Sequence, residues 1–221
     1  MKKGVLIAII GCLLMGSLVA AGAELSPDEI MDRLEARYNV QGIFVRFHQS
    51  STYKALDITD SAEGQIYIKP PGRMRWEYET PEKQFYITDG KLLWVYRPDD
   101  NQVMMGNATT FFGEGNGGAF LSDITTIRKY FSIELISDDP EGYYELKLTP
   151  NTPSGNVQVV YLTVSKQTFN IFQVVTENGY GDETRLTFET PEFNQELPDE
   201  LFTFSPPEGA EIVLLDEQNL Y

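Results

Sequence analysis

The chain of 221 residues has one cysteine, one histidine and few basic residues. Metal sites built from thiolates and imidazoles need several such ligands, and a disulfide needs two cysteines, so both are excluded. Lys and Arg number 17 against 33 Asp and Glu, for a net charge of −16. Such a field repels nucleic acids and anionic lipid headgroups. We therefore expect no metal, no cofactor and no nucleic-acid partner.

Enzyme signatures are absent as well. The sequence has no G-x-S-x-G elbow, no H-E-x-x-H helix and no phosphate-binding loop. Acidic pairs at 99–100, 138–139 and 182–183 fall in predicted turns, where short acids cap backbone groups. His48 lies in a predicted strand, where a single histidine is seldom a base. The sequence predicts a protein that is not an enzyme, with a hydrolase acting through two carboxylates as the alternative.

The N-terminus has the three parts of a secretory signal peptide. Met1 is followed by two lysines, an apolar run spans 5–19, and Ala21-Gly22-Ala23 provides a small-x-small cleavage site. Cleavage after Ala23 leaves one domain, residues 24–221, and the short basic start suggests a bacterial periplasm. The alternatives are a membrane anchor, which the short run disfavours, and lipid attachment at Cys12.

One helix and then a series of strands are predicted for the exported chain. Ser26, Pro27 and Glu29 form a helix start ahead of apolar residues at helical spacing. After Gly42 the apolar period becomes two, with turn residues every 8 to 12 positions. Short turns force neighbouring strands to pair antiparallel, which predicts one curved sheet or barrel. The predicted strands, about eleven, are 42–50, 63–69, 73–80, 83–89, 91–97, 102–106, 131–137, 142–149, 157–165, 171–177 and 183–190.

A glycine-rich segment, residues 107–130, interrupts the strands. Four glycines between 113 and 118 precede Phe120, Leu121 and Ile124 at helical spacing. A flexible connection before a short apolar helix is typical of a movable lid. A helix that simply covers the sheet would have the same pattern, so both interpretations stay open.

Apolar and polar residues alternate within the predicted strands, which indicates the side chains that share a face of the sheet. Met74, Trp76 and Tyr78 share one face of their strand, and the next hairpin repeats the pattern with Ile87 and Trp94. We predict that both tryptophans line one wide apolar interior, since one helix is too little to fill a sheet of this size. A large closed aromatic core is the alternative.

Several segments together resemble the periplasmic outer-membrane lipoprotein carrier family, LolA. The resemblance spans the exported chain and is carried by 44–49, 64–78, 89–96, 184–188 and 201–210. It implies an unclosed β-barrel with a helical lid. It also implies that the protein takes acylated lipoproteins from an inner-membrane ABC transporter of the Lol type and delivers them to an outer-membrane acceptor lipoprotein. We expect a monomer, and the alternative function is an open-barrel sensor or carrier for another lipid or acyl ligand.

The resemblance also suggests which residues bind. An acyl chain would contact an apolar wall and the apolar side of the lid, and the predicted lipid-binding residues are Val45, Phe47, Met74, Trp76, Tyr78, Ile87, Trp94, Phe120, Leu121 and Ile124. Many family members have an Arg that is thought to hold the lid shut where this chain has Pro70. Nearby candidates for that lid contact are Lys69, Arg73 and Arg75, although strand parity puts Arg73 and Arg75 on the face opposite Trp76.

Overall fold

A computed structural model describes residues 25–108, 121–139, 142–152 and 156–215. Helix α1 spans Pro27–Tyr38, and its N-cap Ser26 forms the predicted capping box with Glu29. The side-chain and backbone bonds from Ser26 lower the pKa of the Glu29 carboxyl. A second helix, α2, is a short one at Thr126–Tyr130. In the ranges that are described, no helix has the length and apolar character needed to cross a membrane.

The described residues form thirteen strands in a single sheet. Its order is β13-β6-β5-β4-β3-β2-β1-β11-β10-β9-β8-β7, with β12 paired to the end of β1. The strands are β1 (Ile43–Tyr53), β2 (Ile58–Lys69), β3 (Arg73–Thr80), β4 (Gln84–Thr88), β5 (Leu92–Arg97), β6 (Gln102–Asn107), β7 (Phe131–Asp139), β8 (Tyr143–Pro150), β9 (Val159–Ser165), β10 (Ile171–Glu177), β11 (Glu183–Phe188), β12 (Glu192–Phe193) and β13 (Glu211–Leu214).

This architecture confirms the predicted mainly β, unclosed antiparallel sheet with an N-terminal helix and a short second helix. Two further strands, β12 and β13, are too short for alternation to reveal them. β13 pairs with β6 in parallel, which is possible because about a hundred residues separate the two strands in sequence. β2 begins at Ile58, before its apolar pattern, because its exposed first half pairs with the end of β1.

The sheet curves around α1. We call the side against which α1 packs the inner face and the other side the outer face. The inner face joins side chains from β3 through to β7 with α1 in one apolar cluster. These eight neighbouring strands would span about 34 Å if flat, whereas α1 is about 18 Å long and 10 Å wide. Only a strongly curved sheet brings both ends of that series to one helix.

The C-terminal segment covers part of the outer face. It contains a 3-10 helix at Asp199–Phe202 and leads into β13. Phe202 is fully buried, and the ring of Phe204 lies 5.2 Å from that of Tyr96 on β5. The outer face of β4 and β5 is therefore partly covered by the C-terminal segment.

Candidate functional site

The centre of the inner face is an aromatic wall on β1 and β3. The ring of Phe47 lies 5.1 Å from Trp76 and 5.2 Å from Tyr78, edge-on to both. In register, Phe47 and Tyr78 lie on either side of Gly64, whose missing side chain lets the two rings meet. A Cβ at Gly64 would lie 2.0 Å from the carbonyl oxygen of Glu77. Glycine is required here by this close approach of β2 and β3.

A short polar chain crosses one end of this wall. Tyr78 donates from its hydroxyl to Oε1 of Gln49 at 2.8 Å, and Gln49 donates from Nε2 to Ser51 at 3.0 Å. Burial raises the pKa of Tyr78 far above its usual value, so the hydroxyl stays protonated as a donor. The wall is therefore apolar with an uncharged polar end.

The lid segment, residues 121–130, closes the inner face near the turn between β2 and β3. Leu121 and Ile124 are buried within the inner-face cluster, as is Ile127 of α2. The backbone N–H of Gly72 donates to the carbonyl of Ser122 at 3.0 Å. The lid segment is thus held by apolar contacts, by this bond to the neighbouring turn and by a bond from the backbone N–H of Asn151 to the carbonyl of Tyr130 at 2.8 Å.

Arg128 ties α2 to α1. Its Nε atom lies 2.8 Å from Oε1 of Glu35, and Nη2 donates to Oδ1 of Asp32 at 2.5 Å. Nη2 also donates to the carbonyl of Asp28 at 2.8 Å. The three acidic residues lie at positions i, i+4 and i+7, in one stripe along α1 beside its apolar face. A single guanidinium therefore bridges the lid segment and the helix it covers.

A groove opens beside the lid segment. It has a volume of about 540 Å³ and lies between the second half of α1, Pro70 and Pro71 of the β2–β3 turn, and residues 121–125. The volume is in the range of small-molecule sites. Asp32, Glu35 and the side of Tyr38 form its helix wall. Tyr38, Leu121 and Ile124 belong both to the lining of this groove and to the inner-face cluster.

Three predicted lid-contact residues have other partners. Lys69 donates to the carbonyl of Leu197 at 2.8 Å, and Arg73 donates to Asp199 at 2.8 Å. Arg75 bonds Glu77 and stacks over the ring of Phe85 on the outer face. Among the described residues, none of the three has a hydrogen bond or ion pair with the lid segment. Their side chains leave the strands on the outer face, where they hold the C-terminal segment.

The two tryptophans do not share a face, which corrects the sequence prediction. Trp76 pairs with Tyr86 across β3 and β4, so Ile87 lies on the opposite side of the sheet. Ile87 in turn pairs with Trp94 on β5. Both residues are buried on the outer face, in a small cluster under Phe204 of the C-terminal segment.

The other predicted binding residues come together. Val45, Phe47, Met74 and Trp76 are buried on the inner face with Leu121 and Ile124, and Tyr78 packs against them. Phe120 lies outside the described residues, as do the four glycines before it. His48 is exposed on the outer face between Glu63, at 3.3 Å, and Glu189, at 3.5 Å.

Sequence reasoning missed two features of this site. The Arg128 bridge has a local signal in the acidic stripe of α1, which requires a basic partner, but the partner is about a hundred residues away. Tyr86 on β4 and Val95 on β5 lie on the same face as Trp76. Only the register of the β3–β4 hairpin reveals this placement. Within the described ranges, no three His, Cys, Asp or Glu side chains could hold a metal ion.

Comparison with known proteins agrees with this architecture. The family described as "Outer membrane lipoprotein carrier protein LolA" matches residues 38–205. An outer-membrane lipoprotein carrier protein of Nitrosomonas europaea is 30% identical over 168 residues, covering 76% of this chain and 80% of that protein. One from Dechloromonas aromatica is 28% identical over 200 residues, covering 90% and 91%.

A solved structure supports the fold. An uncharacterized conserved protein from Thermus thermophilus aligns with a TM-score of 0.55 at 17% identity, covering 85% of this chain and 98% of that one. The family match covers most of the chain, including every strand from β1 to β11 and the lid segment. The chain therefore belongs to the LolA family of outer membrane lipoprotein carrier proteins.

Proposed function

We propose that the protein is a periplasmic chaperone that holds the acyl chains of lipoproteins against its inner face, beneath the lid segment. It would carry them from the inner to the outer membrane. The observation that carries this proposal is the aromatic wall of Phe47, Trp76 and Tyr78 covered by a separate segment. The names of the family and of its relatives supply the cargo class.

The energetics of the lid favour exchange with lipid. Transfer of a sixteen-carbon acyl chain out of water is worth roughly 12 kcal/mol, at about 0.8 kcal/mol per methylene. Burial of Leu121, Ile124 and Ile127 contributes about 2 kcal/mol each. The backbone hydrogen bonds from Gly72 to Ser122 and from Asn151 to Tyr130 add about 1 kcal/mol each, and the partly exposed Arg128 bridge about 1 kcal/mol. One acyl chain therefore offsets the contacts that keep the lid segment closed.

Displacement of the lid segment gives a simple cycle. In the empty carrier, Leu121 and Ile124 occupy the apolar wall, and they would be replaced by acyl carbons when cargo enters. Because these contacts re-form on release, the empty carrier does not expose its wall to water. The cycle requires no chemical step, in keeping with a non-enzymatic carrier.

The partners of this cycle follow from the same proposal. An inner-membrane ABC transporter of the Lol type would load the carrier, and an outer-membrane acceptor lipoprotein would unload it. Export to the periplasm would use the predicted signal peptide, residues 1–23, with cleavage after Ala23.

The proposal is tested by binding of a synthetic dipalmitoyl lipopeptide to the purified protein, measured by native mass spectrometry. The lipopeptide should bind at one to one, and the same peptide without acyl chains should not. Met74→Glu places a charge on the inner face and should abolish binding. Leu92→Glu places the same charge at an exposed position on the outer face and should leave binding intact.

The outcomes separate the alternatives. Equal binding by a folded Met74→Glu protein would contradict the assignment of the inner face. Should Met74→Glu fail to fold, Leu121→Ala serves in its place, with faster lipopeptide release as the expected result. Material recovered from the periplasm with free lipid and no acylated protein would favour the carrier or sensor of another lipid.

A further inference from the structure

The indole nitrogen of Trp76 is a donor without an acceptor. Trp76 is 5% exposed, and its Nε1 atom is buried with no hydrogen-bond partner. The other tryptophan is on the opposite face and has no such orphaned nitrogen. Leaving a buried N–H unpaired is costly, and such groups in native proteins call for an explanation.

Neighbouring polar groups on the inner face are paired. Tyr78 donates to Gln49, and the Thr88 hydroxyl accepts from the backbone N–H of Gly90 at 2.9 Å. The Tyr38 hydroxyl accepts from the backbone N–H of Ile171 at 3.0 Å. The unpaired N–H of Trp76 therefore lies on a face where the hydroxyl groups of Tyr38, Tyr78 and Thr88 all have partners.

A second donor lies close to it. Gln84 pairs with Tyr78 across β3 and β4, two pairs along from Trp76 and Tyr86 and therefore on the same face. Its Nε2 atom is also buried without a partner. Two unpaired N–H donors in an apolar wall suit a ligand whose hydrocarbon chains are attached to groups that accept hydrogen bonds but do not donate them.

We propose that the inner face recognises acyl esters, with a carbonyl oxygen of the ester accepting from Nε1 of Trp76. This inference rests on the proposed function and specifies its ligand. The methylene chain would occupy the apolar wall, and the ester carbonyl would relieve the orphaned indole donor. A plain hydrocarbon would leave Trp76 unpaired, and an ether oxygen is a weaker acceptor than the ester carbonyl.

The test compares two ligands that differ only in their carbonyls. One is a dipalmitoyl-glyceryl-cysteine peptide, and the other is its dihexadecyl diether analogue with the same chain length. The wild-type protein should bind the diester roughly tenfold more tightly, as expected for one hydrogen bond to an otherwise unpaired donor. Equal affinity for the two ligands would overturn the inference but leave the carrier function standing. Failure to bind either would contradict the proposed function itself.

The two tryptophans provide a direct spectroscopic readout. In ¹⁵N-labelled protein only two indole N–H signals are expected, and Trp94→Phe assigns them. The Trp76 signal should move downfield with the diester and not with the diether. The Trp94 signal should stay in place with both ligands. A Trp76 signal that responds identically to both ligands would contradict the proposed bond.

Paired substitutions complete the test. Trp76→Phe keeps an aromatic ring and removes the donor, so it should bind diester and diether with equal affinity. Trp94→Phe should retain the tenfold preference. If Trp76→Phe does not fold, the diester-dependent shift of the wild-type indole signal still decides between the two outcomes.

Discussion

Nε of Arg128 lies 2.8 Å from Oε1 of Glu35, which joins the lid segment to α1 through a single guanidinium. The same side chain reaches Asp32 and Asp28, one and two turns earlier on the helix. All four side chains have some exposure to solvent, so each ion pair is weak by itself. They hold the lid segment near its C-terminal end, whereas the Gly72 to Ser122 hydrogen bond holds its N-terminal end.

Arg128→Gln should loosen the lid segment without unfolding the sheet. Loss of the bridge removes about 1 kcal/mol from the closed arrangement, which is roughly a fivefold change in its opening equilibrium. Hydrogen exchange of the amides in residues 121–130 should accelerate by that factor, while exchange in β1 to β3 stays unchanged. Lys129→Gln removes the same charge one position along and should have little effect. Unaltered exchange in Arg128→Gln would exclude a bridging role.

Leu121→Ala should shorten the residence of acylated cargo. Truncation of this buried side chain removes apolar contacts from the lid segment, at a cost of about 2 to 3 kcal/mol. The off-rate of a dipalmitoyl lipopeptide from the preformed complex should rise. Arg75→Leu, whose native side chain faces the C-terminal segment, should transfer cargo normally. An effect of Arg75→Leu with none from Leu121→Ala would reverse the assignment of the lid contacts.

Gly64→Ala should destabilise the whole domain. The added Cβ would meet the carbonyl oxygen of Glu77 at 2.0 Å, so β2 and β3 must separate at the aromatic wall. We expect a loss of about 3 kcal/mol in the free energy of unfolding, measured with urea. Gly209→Ala has a positive φ of 75° but open space, and should cost about 1 kcal/mol. Equal losses of unfolding free energy in the two variants would mean that β2 and β3 tolerate the added methyl group at Gly64.

The attachment of the C-terminal segment should weaken in acid. The hydrogen bond and charge of Lys69, with Arg73 nearby, lower the pKa of Asp199 from its usual 3.8. A carboxyl with a lowered folded-state pKa stabilises the fold above its usual pKa. That contribution is lost as the pH falls through the lowered value. Trp94, under the C-terminal segment, should report this change by fluorescence in a Trp76→Phe background.

The control for that titration is Asp199→Asn. Its stability should fall below that of the unsubstituted chain at neutral pH, and the two should converge as the pH drops below about 4. A stability difference that is unchanged at pH 2 to 3 would exclude ionisation of Asp199 as the cause.

Local sequence signals predicted much of this fold. The Ser26 capping box and the spacing of Ile30, Leu34 and Tyr38 fixed α1 and its buried side, because both are set within a few residues. Alternation placed Met74, Trp76 and Tyr78 on a common face, because these residues follow one another at every second position of β3. The resemblance to the LolA family is confirmed, and membership in this family of carriers confirms that the chain is not an enzyme.

The errors arose where information is not local. A shift of one residue in the β3–β4 hairpin reverses every side chain of the next strand, and alternation alone does not fix that register. Ile87 and Trp94 were therefore assigned to the wrong side. The partner of Lys69 and Arg73 is Asp199, about 130 residues later, which no local pattern could indicate. The placement of Phe120 and the cleavage after Ala23 stay predictions.

The central claim is tested most directly by photo-cross-linking in living cells. Benzoylphenylalanine replaces Tyr78 on the inner face in one variant and Tyr67 on the outer face of the neighbouring strand in another. After irradiation, we predict that the Tyr78 position cross-links to lipoproteins through their acyl chains, identified by mass spectrometry. We predict that the Tyr67 position does not. Acyl cross-links from Tyr67 and none from Tyr78 would contradict the account.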